Sequence, residues 1–460
     1  MNLTTIIGLE LKRLLTSPAV MAGLVLILLV GIYAIDQGSR TIDQQRRVLS
    51  ESQRIENEHW ERMIQLHANP DPLNTLYYLN FFTRHEPSRY ATLSLGLRDV
   101  NPYNLKIRIL SLEGQLYDSE LTNAATRATG NFDLAFLLVF LYPLLLIALL
   151  HNTISEDREN GTWPIVRFQA QRIEWLSAIR LLLRFGLVLA VWWLTLLIAI
   201  IRLDLPIDRR LLMIGLGSTL YLLFWFGLSA ALATSRHSSN RIALQLFSIW
   251  LALTIVIPGS INLALNRLLP AGEAFEVVIR QREGYHQQWD VPKSETMARF
   301  FTSYPEYASF VAPADRFSWG WYYAAQHIGD LEAASAVREL RRKLIRRADW
   351  IERTGWLIPS VNLQILFNRV ARTDLESHLG YLDSVRSYHE QLRRRLYPAL
   401  MSSEPARIDW PALPRHSYSE EEVSPPVTSL LLPLLGLISI TLALAGHRLA
   451  RIAGIFQSDE

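Results

Sequence analysis

Six long apolar windows constrain the fold of this 460-residue chain more than any other feature of its sequence. An α-helix rises 1.5 Å per residue, so roughly 20 mostly apolar residues are needed to cross about 30 Å of hydrocarbon. Backbone polar groups in lipid must be satisfied within the segment, so each such window predicts a membrane helix. The windows are Pro18–Ile35, Leu134–His151, Leu181–Ile201, Leu211–Thr234, Ile242–Ile261 and Val427–Gly446.

Two windows contain residues that are unusual in lipid. The third carries Arg184, which lies near one end, where its side chain can snorkel to the headgroup region. The last contains Pro433, and proline is tolerated in packed membrane helices. The first window follows Lys12 and Arg13, as a signal peptide would, but its apolar run is too long for a typical signal core. We therefore expect an uncleaved first membrane helix.

Arginine and lysine near the helix ends predict the orientation. Most of them fall on one side, which the rule assigns to the cytoplasm: Lys12, Arg13, Arg158, Arg167, Arg172, Arg180, Arg236, Arg241, Arg448 and Arg451. The short loop Arg202–Arg210 carries three arginines on the opposite side, next to two aspartates, and is a counter-signal. The summed bias predicts a multi-pass protein with both termini in the cytoplasm.

This topology divides the chain into seven parts. They are an amphipathic helix at 1–17, the first membrane helix at 18–35, an extracytoplasmic segment at 36–132, helices two to five within 133–261 with a cytoplasmic turn at 152–180, a second extracytoplasmic segment at 262–426, the sixth helix at 427–446 and a cytoplasmic tail at 447–460. The two extracytoplasmic segments make up more than half of the chain.

Helical patterns dominate both of these segments. Thr41–His67 predicts a polar extension of the first membrane helix, and Asp330–Ala348 predicts a helix with an aspartate cap. A capping box, Thr373-Asp374-Leu375-Glu376, predicts another helix that ends near Pro398. The expected fold class is an all-α membrane protein with six transmembrane helices and two large, mainly helical extracytoplasmic segments.

Composition excludes several classes of function. The net charge is only +3, and the basic residues are scattered among carboxylates, so no nucleic-acid partner is expected. Cysteine is absent, which excludes disulfide bonds, thiolate metal sites and cysteine nucleophiles. His85-Glu86 and His389-Glu390 lack the second histidine of a zinc protease helix, and no nucleophile elbow occurs. A membrane-embedded hydrolase is therefore disfavoured.

A dense charged turn, Ser155-Glu156-Asp157-Arg158-Glu159-Asn160-Gly161-Thr162, directly follows the second window. Charge at this density cannot lie in hydrocarbon, so we expect the turn at the membrane surface, where a soluble partner can contact it. The expected geometry is a short helix ending at Asn160, with Gly161 in the left-handed conformation and Thr162 opening the next helix. A solvated connection between two membrane helices is the alternative interpretation.

With this turn and the amphipathic stretch Ile6–Leu15, the chain resembles the permease subunit of ABC transporters of the type-2 exporter class. Those permeases carry an acidic coupling segment of the form Glu-Arg-Glu-x-Gly-Thr between helices two and three. The matching residues here are Glu156, Arg158, Glu159, Gly161 and Thr162, with Asp157 displacing the first carboxylate by one position. Further segments are similar to the bacterial subset with enlarged extracytoplasmic loops: Gly96–Tyr103, Gly130–Phe136, Ile358–Gln364 and Ala371–Asp374.

The resemblance implies the permease subunit of an ATP-driven transporter, in this case an exporter, in a bacterial inner membrane. Its implied partners are two copies of a cytoplasmic ABC ATPase, a second permease copy or sister permease, and the lipid bilayer. The implied ATPase-coupling residues are Glu156, Asp157, Arg158, Glu159, Asn160, Gly161 and Thr162. No Gly-Lys dipeptide occurs, so the chain has no P-loop, and ATP and Mg are expected on the partner subunit. This chain itself is expected to be no enzyme, with no catalytic residue, metal or bound cofactor.

Polar residues of the fifth window predict a candidate translocation path. In type-2 exporters the path runs between two permease copies, with helices two and five contributing, and Gln245 and Ser248 share one face of helix five. Hydrogen bonding between helices is the alternative role for both residues.

A second hypothesis comes from the large extracytoplasmic segments and from the apolar second helix, which offers almost no polar face. The protein would then be a membrane-anchored interaction or assembly factor that binds a periplasmic client and is moved by an ATPase without solute transport. The aromatic run Trp319-Gly320-Trp321-Tyr322-Tyr323 would suit either an apolar substrate or anchoring at the membrane interface.

Overall fold

The computed structural model describes residues 3–67, 72–117, 132–170, 172–270, 272–402, 408–418 and 428–452. Six helices within these ranges are long and apolar enough to cross a membrane, which confirms the six predicted membrane helices. Their bounds are TM1, Pro18–His67; TM2, Leu134–Phe136 with Leu137–Leu141 and Tyr142–Leu150; TM3, Ile173–Leu203; TM4, Arg209–Ala233; TM5, Ser239–Leu251 with Ala252–Val256 and Ile257–Leu268; and TM6, Thr428–Ile452.

The described ranges also contain ten further helices and one hairpin. The helices are α1, Leu3–Thr16; α2, Pro72–Tyr78; α3, Glu113–Tyr117; α4, Ser155–Glu159; α5, Trp163–Gln169; α6, Glu273–Gln287; α7, Lys293–Ser303; α8, Trp319–Gly355; α9, Pro359–Ala371; and α10, Leu375–Leu400. Strands β1, Phe81–Arg84, and β2, Asn104–Ile107, pair antiparallel, with Phe81 opposite Ile107. Short 3₁₀ turns lie at Arg89–Thr92, Gly96–Asp99 and Pro305–Tyr307.

TM2 and TM4 form the centre of the membrane bundle. In their most apolar windows 61% and 67% of the residues are buried, against 22% in TM5. Tyr142, Trp192 and Tyr221 are fully enclosed where TM2, TM3 and TM4 meet. TM5 therefore presents most of its apolar surface outside the bundle of this chain.

TM2 and TM5 each contain one turn of π-helix, at Leu137–Leu141 and Ala252–Val256, and each is closely followed by a proline. Pro143 has no N–H to donate to the carbonyl four residues earlier, so the regular helical bonding is interrupted there. Neighbouring side chains bond to carbonyls in both interrupted turns. Tyr221 Oη donates to Val139 O (2.8 Å), Trp250 Nε1 to Phe140 O (3.2 Å), and Ser360 Oγ to Leu253 O (2.6 Å).

Helix α9 packs inside the membrane bundle, although its sequence lies within the segment expected to be wholly extracytoplasmic. Leu363, Leu366 and Phe367 are buried in the same hydrophobic core as TM2 and TM4. A Cβ on Gly217 of TM4 would come within 2.1 Å of the Leu366 side chain, so the glycine permits this close approach. With 13 residues, α9 is too short to span a membrane, and a length criterion does not detect it.

Most of the other described residues form a polar domain at the end of the bundle opposite α1. It contains TM1 beyond Asp36, residues 72–117 and the described residues of 272–418 other than α9. TM1 runs unbroken to His67, as predicted, and is about 75 Å long. The domain has a separate core in which Trp60, Phe81 and Phe300 pack with side chains of α8 and α10.

Two predicted helix starts differ from the structure. Asp330 lies in the middle of α8, so the prediction that it caps a helix there is wrong. Its carboxylate instead accepts the backbone N–H groups of Leu112 (2.9 Å) and Glu113 (3.0 Å), and so caps α3. The helix predicted from the capping box is confirmed as α10, but its cap is Asp374, which accepts the N–H of Ser377.

The aromatic run at the start of α8 lies far from the membrane. Trp319 and Tyr322 pack against Tyr77, at ring-centroid distances of 5.8 and 5.9 Å, just after the far end of TM1. That end is about 45 Å along the helix axis from Asp36, so these rings lie well beyond the apolar part of TM1. The other end of α8 presents Trp350 and Trp356, both about half exposed, beside the bundle.

Candidate functional site: the charged turn after TM2

The charged turn folds locally as its sequence predicts. Ser155–Glu159 forms α4, and Gly161 adopts a positive φ of 71°. The N–H of Asn160 donates to Glu156 O (2.9 Å), and the N–H of Thr162 donates to Asp157 O (2.9 Å), so these bonds close the helix. The turn lies on the α1 side of the membrane, directly below TM2.

Glu159 joins the turn to the first residue of TM5. Its Oε1 accepts the backbone N–H of Ser239 (2.6 Å), and its Oε2 accepts the Ser239 hydroxyl (2.9 Å). The Ser155 and Ser239 hydroxyls are a further 2.7 Å apart. The Ser239 donors lower the pKa of Glu159, so the carboxylate is stabilised in its charged form at a helix N-terminus.

Arg158 joins the same turn to the connection between TM4 and TM5. Its Nη2 donates to the carbonyl oxygens of Ser235 (2.7 Å) and His237 (3.3 Å). Partial burial lowers the pKa of Arg158 but leaves the guanidinium charged at neutral pH. Adjacent residues of α4 therefore contact both flanks of the TM4–TM5 connection.

Asp157 and Glu156 face α1 and TM3. Arg180 of TM3 donates both to Asp157 and to Glu10 of α1, the latter at 2.7 Å, and all three side chains are largely buried. Glu156 accepts from Asn152 (3.1 Å) and lies 3.9 Å from Arg13 of α1. A displacement of α4 would consequently be transmitted to α1, TM3 and TM5 together.

The opposite edge of the turn is open. Asn160, Gly161 and Thr162 are exposed, and nothing lies within 4 Å of the Cβ that a substitution at Gly161 would add. In α5, Trp163 is buried with Ile154 and Ile173, whereas Ile165 is 59% and Phe168 93% exposed. The sequence reasoning missed Ile165 and Phe168. Their three-residue spacing, opposite the buried Trp163 and the partly buried Val166, is the signal that would have found them.

The two residues predicted to line a path lie on TM5, away from the charged turn. Ser248 is exposed on the outer face of TM5 and donates to Leu244 O of its own helix (2.8 Å). Gln245 is half-buried, and its Oε1 has no hydrogen-bond partner among the described residues. They share the poorly covered surface of TM5 with Phe247, Ile255 and Val256.

The other segments singled out in the sequence meet where the bundle joins the polar domain. The Leu97 N–H donates to Thr373 O (2.7 Å), and Gly96, with a φ of 48°, leaves no room for a Cβ beside Thr373. Asp133 accepts from the N–H groups of Leu95 (2.9 Å) and Phe136 (2.8 Å). Gly130 and Asn131 of the same motif lie outside the described residues, as do Val427 and the tail beyond Ile452.

Comparisons with known proteins concern the polar domain rather than the charged turn. A family model described as a domain of unknown function (DUF3526) matches residues 275–419, less than a third of the chain. The match lies between TM5 and TM6 and covers α7 to α10 and most of α6. No curated protein and no solved structure matches the chain. Among the described residues, no group of three or more histidine, aspartate or glutamate side chains is arranged to hold a metal ion.

Proposed function

We propose that this chain is the permease subunit of an ATP-driven ABC transporter of the type-2 exporter class, located in a bacterial inner membrane with α1 on the cytoplasmic side. ATP and Mg would be bound by a separate cytoplasmic ATPase. The observation that carries the proposal is the two-sided construction of the charged turn. Its inner side bonds to α1, TM3 and TM5, and its outer side exposes Asn160, Thr162, Ile165 and Phe168.

The exposed apolar side chains on the outer side of the turn are suited to contact with another protein. Phe168 and Ile165 are exposed together on one face of α5, and burying the phenylalanine against a partner would stabilise a complex by about 2 kcal/mol. A partner ATPase would cover Phe168 and Ile165 and would contact the polar edge from Asn160 to Thr162. The contact would be made once per permease, so two permeases would engage two ATPases.

The mechanism follows from the bonds of the turn. Nucleotide binding by the partner changes which contacts it makes with α4 and α5, and only such a differential contact can shift the permease between two states. Displacement of α4 moves Ser239, and with it the start of TM5, through Glu159. The π-helical turns of TM2 and TM5 are the points where each helix can bend without losing regular hydrogen bonds.

The poorly covered face of TM5 supports pairing with a second permease copy or a sister permease. Gln245 and Ser248 would then lie beside the contact between the two copies, where a path for an amphipathic substrate would run. TM2 is enclosed in the bundle and contributes few polar groups, so the proposed path rests mainly on TM5.

The test is purification of the tagged protein from native membranes in mild detergent, followed by identification of stoichiometric partners. We expect a co-purifying ATPase with Walker motifs. Phe168→Asp should abolish its retention, whereas Gln169→Asp, which adds the same charge at the adjacent exposed position, should not. Absence of the ATPase under conditions that preserve other complexes of this type, or equal retention by both variants, would contradict the proposal.

The polar domain favours a second candidate function, a membrane-anchored factor that binds an extracytoplasmic client. Its membrane-distal end exposes about half of Tyr78, Trp289 and Phe317, close to the packed rings of Trp319 and Tyr322. The test is co-purification in a preparation that lacks any ATPase. A client that is captured by the wild type and not by Trp289→Ala would favour this function over the transporter.

A further inference from the structure

Arg184 of TM3 is a buried charge without a partner in the described part of the chain. Only 8% of its surface is exposed, on the same stripe of TM3 that buries Leu181 and Val188. Its Nη1 atom is enclosed and donates no hydrogen bond, and Arg184 takes part in none of the ion pairs of the described residues. The sequence suggested that this side chain snorkels to the surface, but the structure encloses it.

The carboxylates near Arg184 are already engaged. Glu10 and Asp157 both accept from Arg180, one helical turn away, and Glu156 accepts from Asn152 and faces Arg13. The charges that act on Arg184 include the cations Arg13 and Arg180 as well as Glu10 and Glu156. A buried guanidinium with unmet hydrogen bonds is destabilising unless an acceptor from outside the chain completes them.

The position of Arg184 identifies that anion. It lies four residues, or about 6 Å, deeper in the membrane than Arg180, at the boundary between headgroups and hydrocarbon. Helix α1, which packs against TM3 on this side, exposes Leu9 (55%) and Leu15 (46%), so apolar lipid can cover α1 beside Arg184. The phosphate of a phospholipid is the anion found at this depth, and a guanidinium can bond two of its oxygens.

We propose that Arg184, with Arg13 and Arg180 beside it, binds the phosphate of an anionic phospholipid in the leaflet on the α1 side. Basic pockets between membrane helices and a surface helix are suited to anionic headgroups. The bound lipid would wedge between α1 and TM3 beside the cluster that also holds α4, and its phosphate oxygens would accept the hydrogen bonds for which Arg184 has no acceptor among the described residues. The inference depends only on the membrane location of TM3 and does not require an ATPase partner.

The experiment uses the full-length protein, purified and stripped of lipid in neutral detergent. Phosphatidylglycerol, phosphatidylcholine or inorganic phosphate is added in separate titrations, and the thermal unfolding midpoint and the mass of the intact protein with bound lipid are measured. We expect phosphatidylglycerol to bind and to raise the midpoint, with about tenfold weaker binding by Arg184→Gln. Arg172→Gln, an exposed arginine before TM3, should bind like the wild type.

The lipid-free sample provides the control for folding. Removing an unpaired buried charge should leave the midpoint of Arg184→Gln unchanged or raise it, because no bond within the protein is lost. A lower midpoint without lipid would overturn the proposal, since it would reveal a partner within the chain. Equal binding of phosphatidylcholine, or equal loss in Arg172→Gln, would also overturn it. If inorganic phosphate raised the midpoint as much as phosphatidylglycerol, Arg184 would still bind phosphate, but the proposal that a lipid supplies it would be overturned.

Discussion

The two ends of TM2 are held by the same chemistry in opposite environments. At the end nearest the polar domain, the Asp133 carboxylate accepts two backbone N–H groups and is 6% exposed. At the other end, Glu159 accepts a backbone N–H and a hydroxyl from Ser239, and its side chain is exposed. Each carboxylate joins TM2 to a distant segment, one to the loop before TM2 and one to TM5.

Asp133 and Glu159 differ in burial, and their pKa values are shifted in opposite directions. Loss of hydration raises the pKa of Asp133 to about 6, although the N–H groups of Phe136 and Leu95 oppose the shift. The Ser239 donors lower the pKa of Glu159, because water still solvates its charge. A buried carboxylate with two enclosed donors cannot leave without exposing unsatisfied groups, whereas an exposed one can exchange partners. We infer that the Asp133 end is a fixed anchor and that the Glu159 end is the movable one.

The largest expected effect is at the anchor. Asp133→Ala should lower the free energy of unfolding by about 3 kcal/mol, because two enclosed N–H groups lose their acceptor. Asp133→Asn retains one acceptor oxygen and should cost clearly less. Denaturation in a fixed detergent, followed by tryptophan fluorescence, measures both. Equal stability of Asp133→Ala and the wild type would refute the anchor.

A smaller effect is expected in the middle of TM2. Tyr221→Phe removes the donor to Val139 O beside the π-helical turn and should cost about 1 to 2 kcal/mol. Tyr323→Phe is the matched control, because the Tyr323 hydroxyl is equally buried but has no hydrogen-bond partner among the described residues. The control should unfold like the wild type. Similar losses in both variants would show that the Val139 bond adds nothing.

The pH dependence of stability should follow Asp133. Its folded pKa of about 6 lies above the ordinary value of 3.8, so the folded state binds a proton that the unfolded state does not bind between these values. Lowering the pH from 7 to 5 should therefore stabilise the wild type by about 1 kcal/mol relative to Asp133→Asn, whose amide does not titrate. If the wild type were instead destabilised relative to Asp133→Asn at pH 5, the folded protein would be more stable with Asp133 ionised, and the raised pKa would be wrong.

The smallest effect on stability is expected at the movable end. Glu159→Lys should lower the unfolding midpoint only slightly, because the bonds to Ser239 are lost at the start of TM5 but water can partly replace the exposed carboxylate. Under the proposed function it should nevertheless uncouple the ATPase activity of the purified complex from transport. A large loss of stability would make Glu159 a second anchor, and unchanged coupling would remove it from the transmission of movement.

Local signals predicted part of both ends correctly. Gly161 after a run of charged residues predicted the end of α4, and the six windows predicted the membrane helices, because both follow from backbone conformation and helix length. The partner of Glu159 could not be predicted, since Ser239 lies 80 residues away along the chain. Asp330 shows the same limit: an aspartate suited to capping was recognised, but the helix that it caps is on another segment.

The sequence by itself determined that this chain has six segments long and apolar enough to cross a membrane, that it contains no Gly-Lys dipeptide, and that a charged turn follows TM2. These properties depend on hydrophobicity, length and short motifs, which are local. Only the tertiary structure decided that α9 enters the bundle, that the turn bonds to α1, TM3 and TM5, that Phe168 faces outward and that Arg184 is enclosed with no hydrogen-bond partner among the described residues. Those properties depend on which distant surfaces pack together, and a periodic pattern specifies a buried face without specifying its neighbour.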